Sequence, residues 1–162
     1  MERLWAPWRG AYVGQEQPPG CILCQKPREN RDPANYLVAR GQFFFVLLNL
    51  YPYNNGHVML APYRHVGEVE ELTPEEWQEF SLFLPRVIRA LKESHRPHGF
   101  NVGLNLGRVA GAGIPGHLHW HVVPRWEGDA NFMPVVGETK VLPESLDATY
   151  AKLRAAWEKA AT

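Results

Sequence analysis

Cysteine is nearly absent from this chain, with only Cys21 and Cys24 in 162 residues, spaced as CILC. In a reducing compartment such a two-residue gap favours a metal or redox pair over a structural disulfide. Net charge is missing as well, because 17 basic and 17 acidic side chains cancel. A balanced chain has no global field to gather nucleic acid or to coat an anionic membrane, so an anionic partner must be caught by a local site. Long hydrophobic runs are lacking too. No apolar stretch approaches the roughly 20 residues of a membrane span, and the opening MERLWAPWRGAYVG lacks the uninterrupted apolar segment of a signal peptide. These absences lead us to expect a cytoplasmic protein that binds neither nucleic acid nor membrane.

Hydrophobic residues make up 45% of the chain, enough for one compact domain with a core. Residues 1–35 are rich in Pro, Trp, Arg and Gly and read as an irregular arm carrying the Cys pair. Apolar, aromatic composition then predicts strands at Tyr36–Arg40 and Gln42–Asn49, the second covered on both faces. YPYNNG marks a turn, and His57–Ala61 returns as the second strand of a hairpin. Thr73-Pro74-Glu75-Glu76 is a helix start, followed by an apolar stripe at Trp77, Phe80, Leu84, Val87, Ile88 and Leu91, with Pro85 expected to kink or break it. Phe100–Leu106 and His117–Pro124 read as further strands, the glycine-rich GRVAGAGIPG between them as a loop, and Pro143–Ala161 as a second amphipathic helix. His95 and His98, in a polar HRPHG turn, read as surface residues. The pattern is α+β, with a core over 36–142 and a C-terminal helix, 143–162, packed on the same domain.

Three of the seven histidines, His117, His119 and His121, stand at alternate positions in GHLHWHVVPRW. On a strand they share one face, while Leu118, Trp120 and Val122 fill the other. Three readings are open: a solvated polar face, a three-histidine metal site, and nucleophilic or acid–base chemistry suited to neutral imidazole. The glycine-rich loop directly before the motif favours phosphorus chemistry, since small residues let backbone N–H groups approach phosphate oxygens. Two thiols cannot complete a tetrahedral zinc site, so any metal at the Cys pair needs histidines.

HLHWHVV matches the histidine triad signature, His-φ-His-φ-His-φ-φ, at every position, and FVLLNLYPYNNGHVMLAPYRHV resembles the N-terminal half of the same family. The resemblance spans roughly residues 36–126. APWR near the start and PRWEGDANFMPV after the triad resemble a bacterial subgroup that includes diadenosine tetraphosphate phosphorylases. What the resemblance implies is an α+β fold with a five-stranded antiparallel sheet, two flanking helices and a homodimer or higher homo-oligomer. It implies a middle histidine, His119, that attacks the α-phosphorus of a nucleotide, with a backbone carbonyl holding its other nitrogen. His121 and His57 would donate hydrogen bonds to the phosphates, Asn105 would meet the α-phosphate, and Ala112 and Gly113 would supply loop contacts. Asn49 would bond the ribose, and Leu47 and Phe45 would wall the base pocket, although plain core packing explains those two as well. By the same resemblance, structural zinc would sit on Cys21, Cys24, His65 and His117, and Trp5 and Trp8 of the arm could pack on a partner subunit. The expected activity is cleavage of dinucleoside polyphosphates by phosphate or by water. A nucleoside phosphoramidate hydrolase, a catalytic zinc hydrolase and a nucleotide-binding module without turnover remain alternatives.

Overall fold

A computed structural model of the chain describes residues 20–160. Its elements are α1 (Ile22–Arg28), α2 (Asp32–Asn35), β1 (Leu37–Arg40), β2 (Phe44–Leu48), β3 (Val58–Pro62), a 3-10 turn (Val69–Glu71), α3 (Pro74–His95), β4 (Gly99–Leu104), β5 (Trp120–Arg125), α4 (Met133–Val136) and α5 (Leu146–Lys159). The strands form one sheet in the order β1-β2-β3-β5-β4, every pair antiparallel. This is the expected α+β arrangement.

One face of the sheet, with Phe44, Val46 and Leu48 of β2 and Trp120 and Val122 of β5, packs against Val87 and Leu91 of α3 and Leu153 and Trp157 of α5. The C-terminal helix therefore shares the domain's single large core. On the other face Leu37, Phe45, Leu47 and Ala61 meet Leu23 of α1. Strand β2 is buried on both sides, as its unbroken apolar run implies.

Helix α3 begins with a complete capping box: Thr73 accepts from the Glu76 N–H, and the Glu76 carboxylate accepts from the Thr73 N–H. Arg64 binds the same carboxylate at 2.8 and 3.0 Å, tying the helix start to the end of β3. Of the two outcomes expected at Pro85, the break does not occur: the helix runs for 22 residues through it. Pro85 and Ser81, whose carbonyl loses its helical partner, are both exposed, so that carbonyl is open to solvent.

Two expectations are corrected. Residues 20–35 are not irregular, because Cys21, in an extended conformation, caps α1 with its carbonyl and Leu23 is 1% exposed in the second cluster. The histidine strand starts late, with its ladder opening at Trp120. Ahead of it, Leu118 N–H donates to the Val66 carbonyl and His117 N–H to the Ile114 carbonyl, which pins this segment to loops. Alternation survives nonetheless, for Leu118, Trp120 and Val122 all enter the large core. Trp5, Trp8 and APWR lie outside the described residues. Among those residues no helix is long and apolar enough to cross a membrane.

Candidate active site

His119 lies in the short extended run that delivers the chain into β5, and it is 5% exposed. Its Nδ1–H donates to the His117 carbonyl at 2.9 Å. A carbonyl can only accept, so the proton is fixed on Nδ1 and Nε2 keeps its lone pair. Burial pushes the imidazolium pKa down, with the carbonyl opposing this in part, and so favours the neutral ring. No described residue bonds Nε2. The outcome is a neutral imidazole with one lone pair left for an electrophile.

His121 sits two residues on, its ring centroid 5.1 Å from that of His119. Its Nδ1 is 2.9 Å from Nε2 of His57, and Nδ1 of His57 accepts the Tyr53 N–H at 3.0 Å. That main-chain donor forces the His57 proton onto Nε2, which must then donate to His121. His121 in turn carries its proton on Nε2. The relay ends in an imidazole N–H, a donor of the kind that stabilises developing negative charge. Tyr53 also packs its ring on both histidines, with centroids 4.5 Å from His57 and 5.8 Å from His121. Nothing in the sequence singled Tyr53 out, because it acts through its backbone and its packing.

His117 faces away from that pair. Its Nε2–H donates to the Pro62 carbonyl at 2.7 Å, leaving the Nδ1 lone pair aimed 3.3 Å from the Cys21 sulfur and 3.4 Å from that of Cys24. His65 Nδ1 lies 3.4 Å from the Cys24 sulfur. These four ligand atoms lie within 4.8 Å of one another. In a tetrahedron with zinc bonds of about 2.3 Å to sulfur and about 2.05 Å to nitrogen, each sulfur–nitrogen edge is about 3.6 Å. The three separations match that edge closely. Burial lowers the His117 pKa to about 4, so the ring is neutral and able to ligate. Burial, and then the neighbouring Cys21 charge, push the Cys24 thiol up. A bound cation would reverse that penalty and hold both sulfurs as thiolates. The cluster could therefore hold a metal ion with protein ligands alone.

A cavity of about 410 Å³ opens on the outer side of β4 and β5 and brings together His121 and Asn105. Asn105 also donates to the Gly111 carbonyl at 3.4 Å, bracing the glycine-rich loop. In that loop Ala112 is 7% exposed and Gly113 is exposed. Asn49, 8% exposed at the end of β2, accepts the Tyr51 N–H on Oδ1 at 2.9 Å. The cavity is lined as well by Arg125, Asp129 and Lys140, of which Arg125 and Asp129 had a sequence signal, in PRWEGDANFMPV.

Phe45 and Leu47 do not wall this cavity. They are 0% and 1% exposed, enclosed by Leu23, Leu37 and Ala61, so their place is core packing. His95 is also corrected. Its side chain is 5% exposed, held by Ser94 and Glu144, because the segment entering α5 folds over it. His98 is exposed as expected.

A family model described as the HIT domain matches residues 32–128. A protein of Mycobacterium tuberculosis named AP-4-A phosphorylase is 44% identical over 172 aligned positions, covering 98% of this chain and 86% of that protein. A bis(5'-adenosyl)-triphosphatase of Saccharomyces cerevisiae is 33% identical over 89 residues, covering 54% of this chain and 43% of that protein. The fold is shared with a zinc-bound histidine triad family protein of Mycobacterium smegmatis, at a TM-score of 0.70, 24% identity, and coverage of 86% of this chain and 94% of that one. The chain belongs to the HIT domain family, the histidine triad proteins.

Proposed function

We propose that this chain is a dinucleoside polyphosphate phosphorylase acting on diadenosine tetraphosphate through a nucleotidyl-His119 intermediate. The observation that carries the reading is the 2.9 Å bond from His119 Nδ1–H to the His117 carbonyl, which leaves Nε2 as a free, neutral nucleophile. The near-full-length relative named AP-4-A phosphorylase supports the choice of substrate.

In the first half-reaction His119 Nε2 forms a bond to the α-phosphorus as the bond to the bridging oxygen breaks, and ATP leaves with that electron pair. In the second, an oxygen of inorganic phosphate bonds the phosphorus, the P–N bond breaks, its pair returns to Nε2, and ADP departs. Water in place of phosphate gives AMP. The His121 Nε2–H, oriented by His57, stabilises the charge that builds on the phosphate oxygens. Asn105 and the loop at Ala112 and Gly113 position the α-phosphate, and Asn49 bonds the ribose hydroxyls.

Cys21, Cys24, His65 and His117 would hold a zinc ion, and with four protein ligands its role would be structural. The zinc-bound relative supports that choice of metal. The active form is a homodimer. Light scattering on the size-exclusion peak tests this, and a monomeric mass refutes it.

The activity test resolves the products of diadenosine tetraphosphate with and without phosphate. ATP plus ADP, dependent on phosphate and lost in His119→Ala, is expected. No turnover by the wild type, or full turnover by His119→Ala, sinks the mechanism.

A further inference from the structure

The wall of the 410 Å³ cavity that includes His121 and Asn105 is also built from residues outside the triad, among them Asn101, Arg125, Asp129 and Lys140. Arg125 is committed there. Its Nε and Nη2 donate to the Asp129 carboxylate at 2.7 and 2.8 Å, and its Nη1 donates to Asn101 Oδ1 at 2.7 Å. Asp129 accepts as well from the Trp126 N–H and from Asn54. These two opposite charges offset one another.

Lys140 is the other cation in the wall. It is half-buried, and no hydrogen bond or ion pair holds its ammonium among the described residues. The wall therefore carries one net positive charge, on a side chain free to turn toward a ligand. The backbone that presents it is braced locally: Gly137 N–H donates to the Met133 carbonyl at 2.8 Å, and the Thr139 hydroxyl to the Gly137 carbonyl at 2.8 Å. An unpaired ammonium in a concave, partly desolvated wall attracts an anion far better than one in open solvent.

In-line displacement at phosphorus sets entering and leaving atoms on opposite sides. The oxygen that departs when His119 attacks and the oxygen that later displaces His119 therefore occupy the same side in turn. We propose that Lys140 and this cavity hold the phosphate group on that side: the leaving polyphosphate in the first half-reaction and inorganic phosphate in the second. This rests on the nucleotidyl-His119 reading. Lys140 transfers no proton and supplies charge and hydrogen bonds to the phosphate oxygens, while bonds form and break only at phosphorus as described above.

Rapid-quench kinetics on Lys140→Met and Lys140→Arg separate the two sources of phosphate. Release of ATP from diadenosine tetraphosphate without added phosphate reads the leaving group. Discharge of isolated nucleotidyl-enzyme across a phosphate titration reads the acceptor. The loss of one charge-assisted contact should raise half-saturating phosphate about tenfold or more in Lys140→Met and shift products from ADP toward AMP. Lys140→Arg should retain most of the wild-type phosphate dependence. A defect confined to ATP release assigns the cavity to the leaving polyphosphate, and one confined to discharge assigns it to free phosphate. If a Lys140→Met protein with wild-type thermal unfolding keeps its ATP release, phosphate dependence and ADP-to-AMP ratio, the inference is overturned and the nucleotidyl-His119 reading stands. If the wild type forms no nucleotidyl-enzyme, that reading falls and takes this inference with it.

Discussion

Nε2 of His57 lies 2.9 Å from Nδ1 of His121, and the Tyr53 amide behind His57 fixes which of the two donates. The consequence is an N–H at the outer end of the relay, set by a backbone amide more than 60 residues from His121 in sequence. Replacing His57 with Leu removes that donor and leaves the Tyr53 N–H without its acceptor. Catalysis should fall by about 10²-fold or more, with stability reduced by about 1–3 kcal/mol. Single-turnover formation of nucleotidyl-enzyme and urea unfolding measure the two effects. An unchanged turnover rate would show that the His121 tautomer is set otherwise.

Metal content offers a separate test. Wild-type protein is expected to carry one zinc per chain, and Cys24→Ser none. Zinc that binds only the folded state stabilises it by about 4 kcal/mol at a free concentration 1,000-fold above Kd. Chelation should therefore lower the thermal midpoint, with activity lost only as the fold loosens. The physical link is His117, whose ring joins the cluster while its carbonyl holds His119. A wild-type protein that neither contains zinc nor takes it up rules the site out.

The Asp129 carboxyl is held well below the usual carboxylate range, first by Arg125 and then by the Trp126 N–H and Asn54, against an opposing effect of burial. A carboxyl with a depressed folded-state pKa contributes stability above its unfolded value, near 3.9, and that contribution is lost as pH falls through the folded pKa. Wild type should thus exceed Asp129→Asn in stability at pH 7 by a margin that begins to shrink below about pH 5 and is mostly gone by about pH 2. Denaturant unfolding across that range checks it. A margin independent of pH contradicts the assignment.

Glu79 reaches from α3 to the turn between β1 and β2, where its carboxylate accepts the N–H groups of Gln42, Phe43 and Phe44, each at 2.6 Å. It fits only because residue 41 is glycine: a Cβ there would lie 2.5 Å from Glu79 Oε1 and 2.7 Å from the Phe83 ring. Glu79→Ala should cost about 2–4 kcal/mol, through backbone donors left unpaired. Gly41→Ala should do comparable harm by evicting the carboxylate. Together the two changes should cost clearly less than their sum, because each removes the same interaction. Strict additivity in a double-mutant cycle defeats the explanation.

Much of this was legible in the chain itself. Period-two and period-3.6 patterns, the Thr73–Glu76 cap and the Asn55-Gly56 turn locate the elements, since each depends on neighbours a few residues away. The alternation of Leu118, Trp120 and Val122 with the three histidines likewise decides which side chains enter the core, even though the ladder begins only at Trp120. Pro85 left kink and break both open, because helix continuity depends on whether a freed carbonyl faces solvent, and that is a property of the packed molecule. Phe45 and Leu47 could be read as core or as pocket from their chemistry alone. Leu23, brought in by α1, decided for core.

Local sequence set the identity and spacing of the imidazoles. Only the fold could divide their work, because a histidine's role follows from what its second nitrogen touches. Pro62 leaves the His117 lone pair facing the Cys pair, the His117 carbonyl leaves that of His119 open, and His57 makes His121 a donor. Such partners come from distant segments, or from a backbone atom whose direction no residue name encodes.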